Sequence, residues 1–120
     1  MRAKDMKSDS FRDFVLDQLL EIRPVQCRAM FGGYGLYQSQ AFFGIIFKGR
    51  LYFKVSEESR AQYIEAGMGE FKPSKKMTLK SFHEVPDGVL ESRPQISDWA
   101  RTAIQAAKTK ISQKRAKITS

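Results

Sequence analysis

The chain has one thiol, Cys27, and one imidazole, His83. A Cys–His nucleophilic pair would need the two to meet beside a third group that orients the base. They fall in separate predicted strands with no such group close by, so Cys27 reads as core packing, and two ligands are too few for a metal site. Gly32, Gly33 and Gly35 invite comparison with a phosphate-binding loop. Dinucleotide spacing is absent, however, no Lys-Ser/Thr follows, and the next segment has the pattern of a strand instead of a helix. Freedom at φ accounts for these glycines. Adjacent Glu57 and Glu58 point about 100° apart on a helix and cannot converge on one substrate, so they read as residues of a helix's first turn. These residues imply no catalytic site and no cofactor.

Binding chemistry has more to draw on. Lys48-Gly49-Arg50-Leu51-Tyr52-Phe53-Lys54-Val55 partly resembles an RNA-recognition strand, although Arg50 and Leu51 stand where that signature wants an aromatic and a small residue. A hairpin strand that buries Leu51, Phe53 and Val55 explains the same alternation, and it leaves Tyr52 exposed beside Lys54. Eight of the fourteen aromatics lie between Phe31 and Phe53, which reads as the core of a small sheet, with a binding platform or homodimer interface as the second explanation. Lys108, Lys110, Lys114, Arg115 and Lys117 form a basic C-terminal stretch suited to phosphates through counterion release. A solvated helix end explains it equally well, because their helical angles spread around the axis.

The elements that must position these groups follow from periodicity. Ser10 with Asp13 resembles a capping box, and Phe11, Phe14, Val15, Leu19 and Ile22 recur at helical spacing up to Pro24. The period then becomes two: Val25, Cys27, Ala29 and Phe31 form the buried face of a first strand. A short strand through Leu36 and Tyr37 follows, then Ala41 to Phe47, apolar on both alternating sets and hence a central strand, then the Leu51–Val55 strand. Ser56 caps a second helix that ends at Gly67, with Ala61, Ile64 and Tyr63 as its apolar contacts. A polar loop with Pro73 and Lys75 leads to a strand from Met77 to Val85, which Pro86, Asp87 and Gly88 end as a turn. Ser92 with Gln95 opens a third helix whose stripe runs through Ile96, Trp99, Ala100, Ala103, Ile104, Ala107 and Ile111. Lys110 and Lys114 extend that stripe, so the helix should leave the body near Ile111. The predicted class is α+β, an antiparallel meander with three helices in the order α-β-β-β-β-α-β(β)-α, with residues 1–111 as one domain and 112–120 as a basic tail.

Composition agrees with one globular core: 120 residues, 42% hydrophobic and 12% aromatic. No stretch approaches the ~20 apolar residues of a membrane span, and MRAKDMKSDS carries charge where a signal peptide would be apolar, so no membrane association and a cytoplasmic location are expected. A single cysteine fits a reducing compartment. Residues 101–120 hold six of the 21 Lys and Arg and none of the 13 acids, leaving the first 100 residues at only +2 of the net +8.

Arg28-Ala29-Met30-Phe31-Gly32-Gly33-Tyr34-Gly35-Leu36-Tyr37 resembles the signature of the N-terminal domain of the TfoX/Sxy family, regulators of bacterial DNA uptake competence. Leu51-Tyr52-Phe53-Lys54, Ala66-Gly67 with Phe71, Val85-Pro86 and Trp99-Ala100 extend the likeness over roughly residues 10 to 108. The motif positions carried over are Arg28, Met30, Phe31, Gly32, Gly33, Gly35 and Leu36. The resemblance implies a fold similar to secretion-chaperone-like domains, no enzyme activity, and regulation of transcription alongside the cyclic-AMP receptor protein. Family regulators carry a second, helical C-terminal domain where this sequence has its basic stretch. The resulting expectation is a regulatory module that acts through a protein partner, with Arg28, Tyr34, Tyr52 and Lys54 as contacts. The alternative is nucleic-acid binding through the Lys48–Lys54 hairpin and the basic residues after Ala107.

Overall fold

The computed structural model describes residues 8–30 and 32–119, with side chains over 9–30 and 32–110. Its elements are α1 (Ser8–Gln18), a 3-10 turn (Leu20–Ile22), β1 (Gln26–Met30), β2 (Gly33–Gln38), β3 (Ala41–Phe47), β4 (Arg50–Lys54), α2 (Glu57–Glu65), β5 (Glu70–Ser74), β6 (Met77–Glu84), α3 (Asp87–Leu90) and α4 (Arg93–Thr119). All six strands join one antiparallel sheet in the order β1-β2-β3-β4-β6-β5. The α+β class and the four-strand meander are as the periodicity predicts. No helix among the described residues is long and apolar enough to cross a membrane.

Tight turns set the register. Lys48 and Gly49 both have positive φ (50° and 72°), the type I′ geometry whose twist matches that of paired strands. Gly32 (φ 77°) and Ser39 (φ 55°) serve the two preceding hairpins. Within β3 the pairing jumps from Leu36↔Gly44 to Tyr37↔Phe42, leaving Phe43 as the extra residue of a bulge. The bulge resets the alternation, so Ala41, Phe43 and Ile46 join the core under the helices while Phe42, Ile45 and Phe47 face the other side. That is the physical origin of the doubly apolar pattern of this strand.

The main core lies between the sheet and the helices. Phe11, Val15 and Leu19 of the N-terminal segment and Ile96, Ala100, Ala103 and Ala107 of α4 pack on Leu36, Leu51 and Phe53. Polar ties lock the helices together: Gln18 Nε2 donates to the Leu90 carbonyl at 3.0 Å, and Arg93 pairs with Asp17.

Several local expectations are corrected. Ser10 lies inside α1, which is already helical at Ser8, so it is no N-cap. Ala29 is exposed and Cys27 only half-buried because β1 is an edge strand with a single neighbour. In α2 the buried residues are Ser59 and Tyr63, four apart, whereas Ala61 is exposed and Ile64 is 60% exposed; this nine-residue helix touches the body along a different stripe. The stretch around Pro73 is strand β5, where an edge position tolerates a residue without an N–H. The turn at Asp87 is one turn of helix, α3.

The Ser56 cap is present as predicted, in reciprocal form: Ser59 N–H donates to Ser56 Oγ at 3.2 Å and Ser56 N–H donates to Ser59 Oγ at 2.9 Å. Ser56→Ala should cost about 1 kcal/mol, read as a lower urea midpoint with unchanged slope.

Candidate interaction surface

The helices cover one face of the sheet, and the opposite face carries its own aromatic layer. Phe71 of β5 is fully buried, with its ring 4.7 Å from Tyr52 and 5.4 Å from Phe47. Phe42 stacks on Tyr37 at 4.9 Å and 22° and reaches Phe82 at 5.0 Å. Three cations lie over rings of this layer: Arg28 over Tyr37 at 4.8 Å, Lys54 over Phe82 at 5.0 Å and Lys48 over Phe47 at 5.3 Å. Tyr37, Phe42 and Phe47 keep partial exposure. At one end of the layer, Lys54 also borders a groove of ≈ 930 Å³ between the start of α2 and α4, lined by Arg60, Arg101 and Lys110 together with Glu57 and Glu58. Arg60 Nε there is buried without a partner among the described residues.

The residues singled out from sequence distribute over this architecture as follows. Arg28 is exposed on edge strand β1, and Lys54 is half-buried and donates to Ser81 Oγ at 3.1 Å. Tyr34 is half-buried on the helix side, donating to Asp9 at 2.6 Å and accepting from Arg12 at 3.2 Å; the bond to Asp9 holds its hydroxyl pKa above the usual value. Tyr52, expected to be exposed, is only 9% exposed because β5 brings Phe71 onto it, and burial first, then Glu84, pushes its hydroxyl pKa up against the opposing pull of Arg50. Lys108 and Lys110 are exposed on α4, while the side chains of Lys114, Arg115 and Lys117 lie outside the described residues although the backbone there remains helical.

Gly33, Gly35 and Leu36 of the glycine-rich string have a structural explanation. A Cβ at Gly33 would run into the Ile46 carbonyl oxygen, and one at Gly35 would meet Met30 Sδ at 2.5 Å and the rings of Tyr37 and Phe42. Leu36 is fully buried in the core. Phe31 lies outside the described residues. The string builds the β1–β2 hairpin, and β2 follows it with no helix N-terminus that could receive a phosphate.

Cys27 on β1 and His83 on β6 are four strand spacings apart, about 19 Å at the usual separation, so they do not form a pair. Burial pushes the Cys27 thiol pKa up, while nearby Arg12 pulls the other way. His83 is 3% exposed, with Nδ1 3.2 Å from the Met68 carbonyl and its ring 5.9 Å from that of Tyr63. No cluster of three potential metal ligands occurs among the described residues.

Tyr63 packs edge-on against Trp99 at 4.7 Å, and burial raises its hydroxyl pKa well above the ordinary ~10. For a raised acid the unfolded chain ionises first, so this contribution is fully present below pH about 10 and is lost as pH rises from there through the folded value. Tyr63→Phe should flatten the alkaline fall in thermal midpoint and leave the neutral-pH midpoint nearly unchanged, as a pH series of melting curves would show.

The sequence reading missed the row Tyr37–Phe42–Phe82. Alternation placed Phe42 and Tyr37 in strands, but only the β3 bulge and the insertion of β6 beside β4 bring the three rings together. A run of aromatics was the available signal, and pairing order was the missing information.

Comparison with known proteins identifies the family of this sequence. The sequence profile of the TfoX N-terminal domain matches residues 17–107, from the end of α1 to the last buried turn of α4. DNA transformation protein TfoX1 of Aliivibrio fischeri (strain ATCC 700601 / ES114) is 42% identical over 79 residues, 66% of this chain and 38% of that protein. The chain therefore corresponds to little more than a third of this relative. With the matched segment containing the complete sheet and the stem of α4, the chain belongs to the TfoX N-terminal domain family.

Proposed function

We propose that this domain is a non-enzymatic regulatory module of DNA transformation competence that works in the cytoplasm by docking on a protein partner. A transcription factor such as the cyclic-AMP receptor protein is the first candidate. The observation that carries the reading is the family match over residues 17–107, which spans all six strands and the packed part of α4 and includes the hairpin of β1 and β2. The separation of the one thiol from the one imidazole removes a Cys–His nucleophilic pair as a competing reading. Arg28, exposed on the edge strand, is the first contact to test.

Size-exclusion chromatography with light scattering, on the full chain with and without the purified cyclic-AMP receptor protein, tests this directly. Co-elution that Arg28→Glu weakens supports the reading. No co-elution with that factor, and no other transcription component recovered from cell extract, would remove it. A dimer of the chain alone would assign the surface to self-association.

A second reading, attraction of duplex DNA to the end of α4, draws on exposed Lys108 and Lys110 and on a sequence that adds Lys114, Arg115 and Lys117. Truncation after Ile111 should then reduce the slope of log affinity against log salt by about 0.9 per lost phosphate contact. An unchanged slope eliminates the reading.

A further inference from the structure

The helix-free face carries an aromatic row that shares only its cations, Arg28 and Lys54, with the contacts considered for protein docking. Arg28, Tyr37, Phe42, Phe82 and Lys54 form a continuous row from β1 to β6, with successive separations of 4.8, 4.9, 5.0 and 5.0 Å. Arg28 caps the β1 side, three rings follow, and Lys54 of β4 lies over the last of them. Beyond Lys54 the row opens into the groove of Arg60, Arg101 and Lys110. We propose that this face binds single-stranded nucleic acid, its bases packing against the partly exposed rings of Tyr37 and Phe42 while its phosphates track Arg28, Lys54 and the groove.

The choice of occupant follows from charge and shape. A single strand presents π-faces and phosphates in alternation, and proteins that bind it combine aromatic platforms with a basic path. A duplex keeps its bases stacked inside and can meet only the cations. A second copy docking through the same patch would bring the cations Arg28 and Lys54 against the cations of the other copy, which like-charge repulsion disfavours. Glu57 and Glu58 lie at the α2 side of the groove, and Asp98 pairs with Arg101 at 3.0 Å, so the sheet row is expected to supply most of the affinity.

The test is fluorescence anisotropy of a labelled twelve-nucleotide oligothymidylate against a duplex of equal length, with the full chain at two salt concentrations. The single strand should bind more tightly than the duplex. Tyr37→Leu, which keeps the apolar packing, should weaken it about tenfold. Arg28→Gln should weaken it less and lower the salt slope by about 0.7. Because Arg28 is exposed, this variant keeps the test valid even where Tyr37→Leu perturbs folding, which circular dichroism will reveal. Truncation after Ile111 should leave the effects of both variants in place, separating this site from the end of α4. The proposal is overturned by no binding at low salt, by equal binding of strand and duplex that neither variant affects, or by a light-scattering dimer that Tyr37→Leu abolishes.

Discussion

Gly33→Ala is expected to destabilise the domain by about 3 kcal/mol, a large share of the roughly 5–15 kcal/mol that holds a domain of this size together. The cause is a backbone approach: the space a Cβ would take is occupied by the Ile46 carbonyl oxygen, which belongs to the neighbouring strand and cannot rotate aside as a side chain can. Accommodating the methyl means prying β2 from β3 next to the register pair Tyr34↔Ile46. Gly69→Ala is the control, because a Cβ there meets nothing within 4 Å and φ is not left-handed; it should be neutral or stabilising by up to about 1 kcal/mol. Urea unfolding of both variants decides the matter. A Gly33→Ala midpoint close to that of the parent would show that the two strands yield readily, and the close approach would lose its place as the reason for glycine in the string.

Phe71→Ala should cost about 3–5 kcal/mol, the usual range for a fully buried phenylalanine, and Phe71→Leu markedly less. The residue closes the helix-free face. Its ring covers Tyr52 and meets Phe47 edge-on, so truncation removes contacts from β4 and β3 together and opens the β5–β6 hairpin. A second consequence distinguishes this variant from an ordinary core truncation: Tyr52 becomes accessible, and the extra increment of its hydroxyl pKa that comes from burial disappears. Thermal melts give the stability, and spectrophotometric titration of the tyrosines gives the exposure. Unchanged tyrosine titration alongside a small loss of stability would mean that β5 contributes little to the covering of this face.

Both effects bear on the proposed single-strand binding, because the face they concern is the one that displays Tyr37, Phe42 and their cations. A single-strand platform works only if its rings are held in place, and here the Tyr37 and Phe42 rings sit close over the backbone of Gly35 while Phe82 packs against Phe42 from the side. The Gly33 and Phe71 variants are therefore expected to impair binding through loss of the folded state, in contrast to Arg28→Gln and Tyr37→Leu, which act on contact itself.

Much of the framework was legible in the residues because the signals were local. The Ser56 cap, the turn at Lys48-Gly49, the stripe from Ile96 to Ala107 and the alternation of Leu51, Phe53 and Val55 each depend on neighbours within a few positions. The failures share a cause as well. Tyr52 was placed on an open face by alternation, which assigns a side but cannot say what covers it. Pro73 lowered the strand signal of Glu70–Ser74, although an edge position makes the missing N–H harmless. For the short α2 helix, several apolar stripes fit the sequence, and only the packed body selects Tyr63 over Ile64.

The sequence by itself determined the α+β class, the hairpin succession, the family resemblance and the separation of Cys27 from His83 into different strands. Tertiary structure alone decided that β6 inserts beside β4, that the Phe43 bulge turns β3 inside out partway along its length, and that Arg28, Tyr37, Phe42, Phe82 and Lys54 from five strands fall into one row. Turns, caps and alternation are set by φ/ψ preferences and by burial over a few residues, which any chain displays in its order of amino acids. Which strands become neighbours depends on the free energy of contacts between residues as far apart in sequence as Arg28 and Phe82, and that quantity exists only once the sheet has closed.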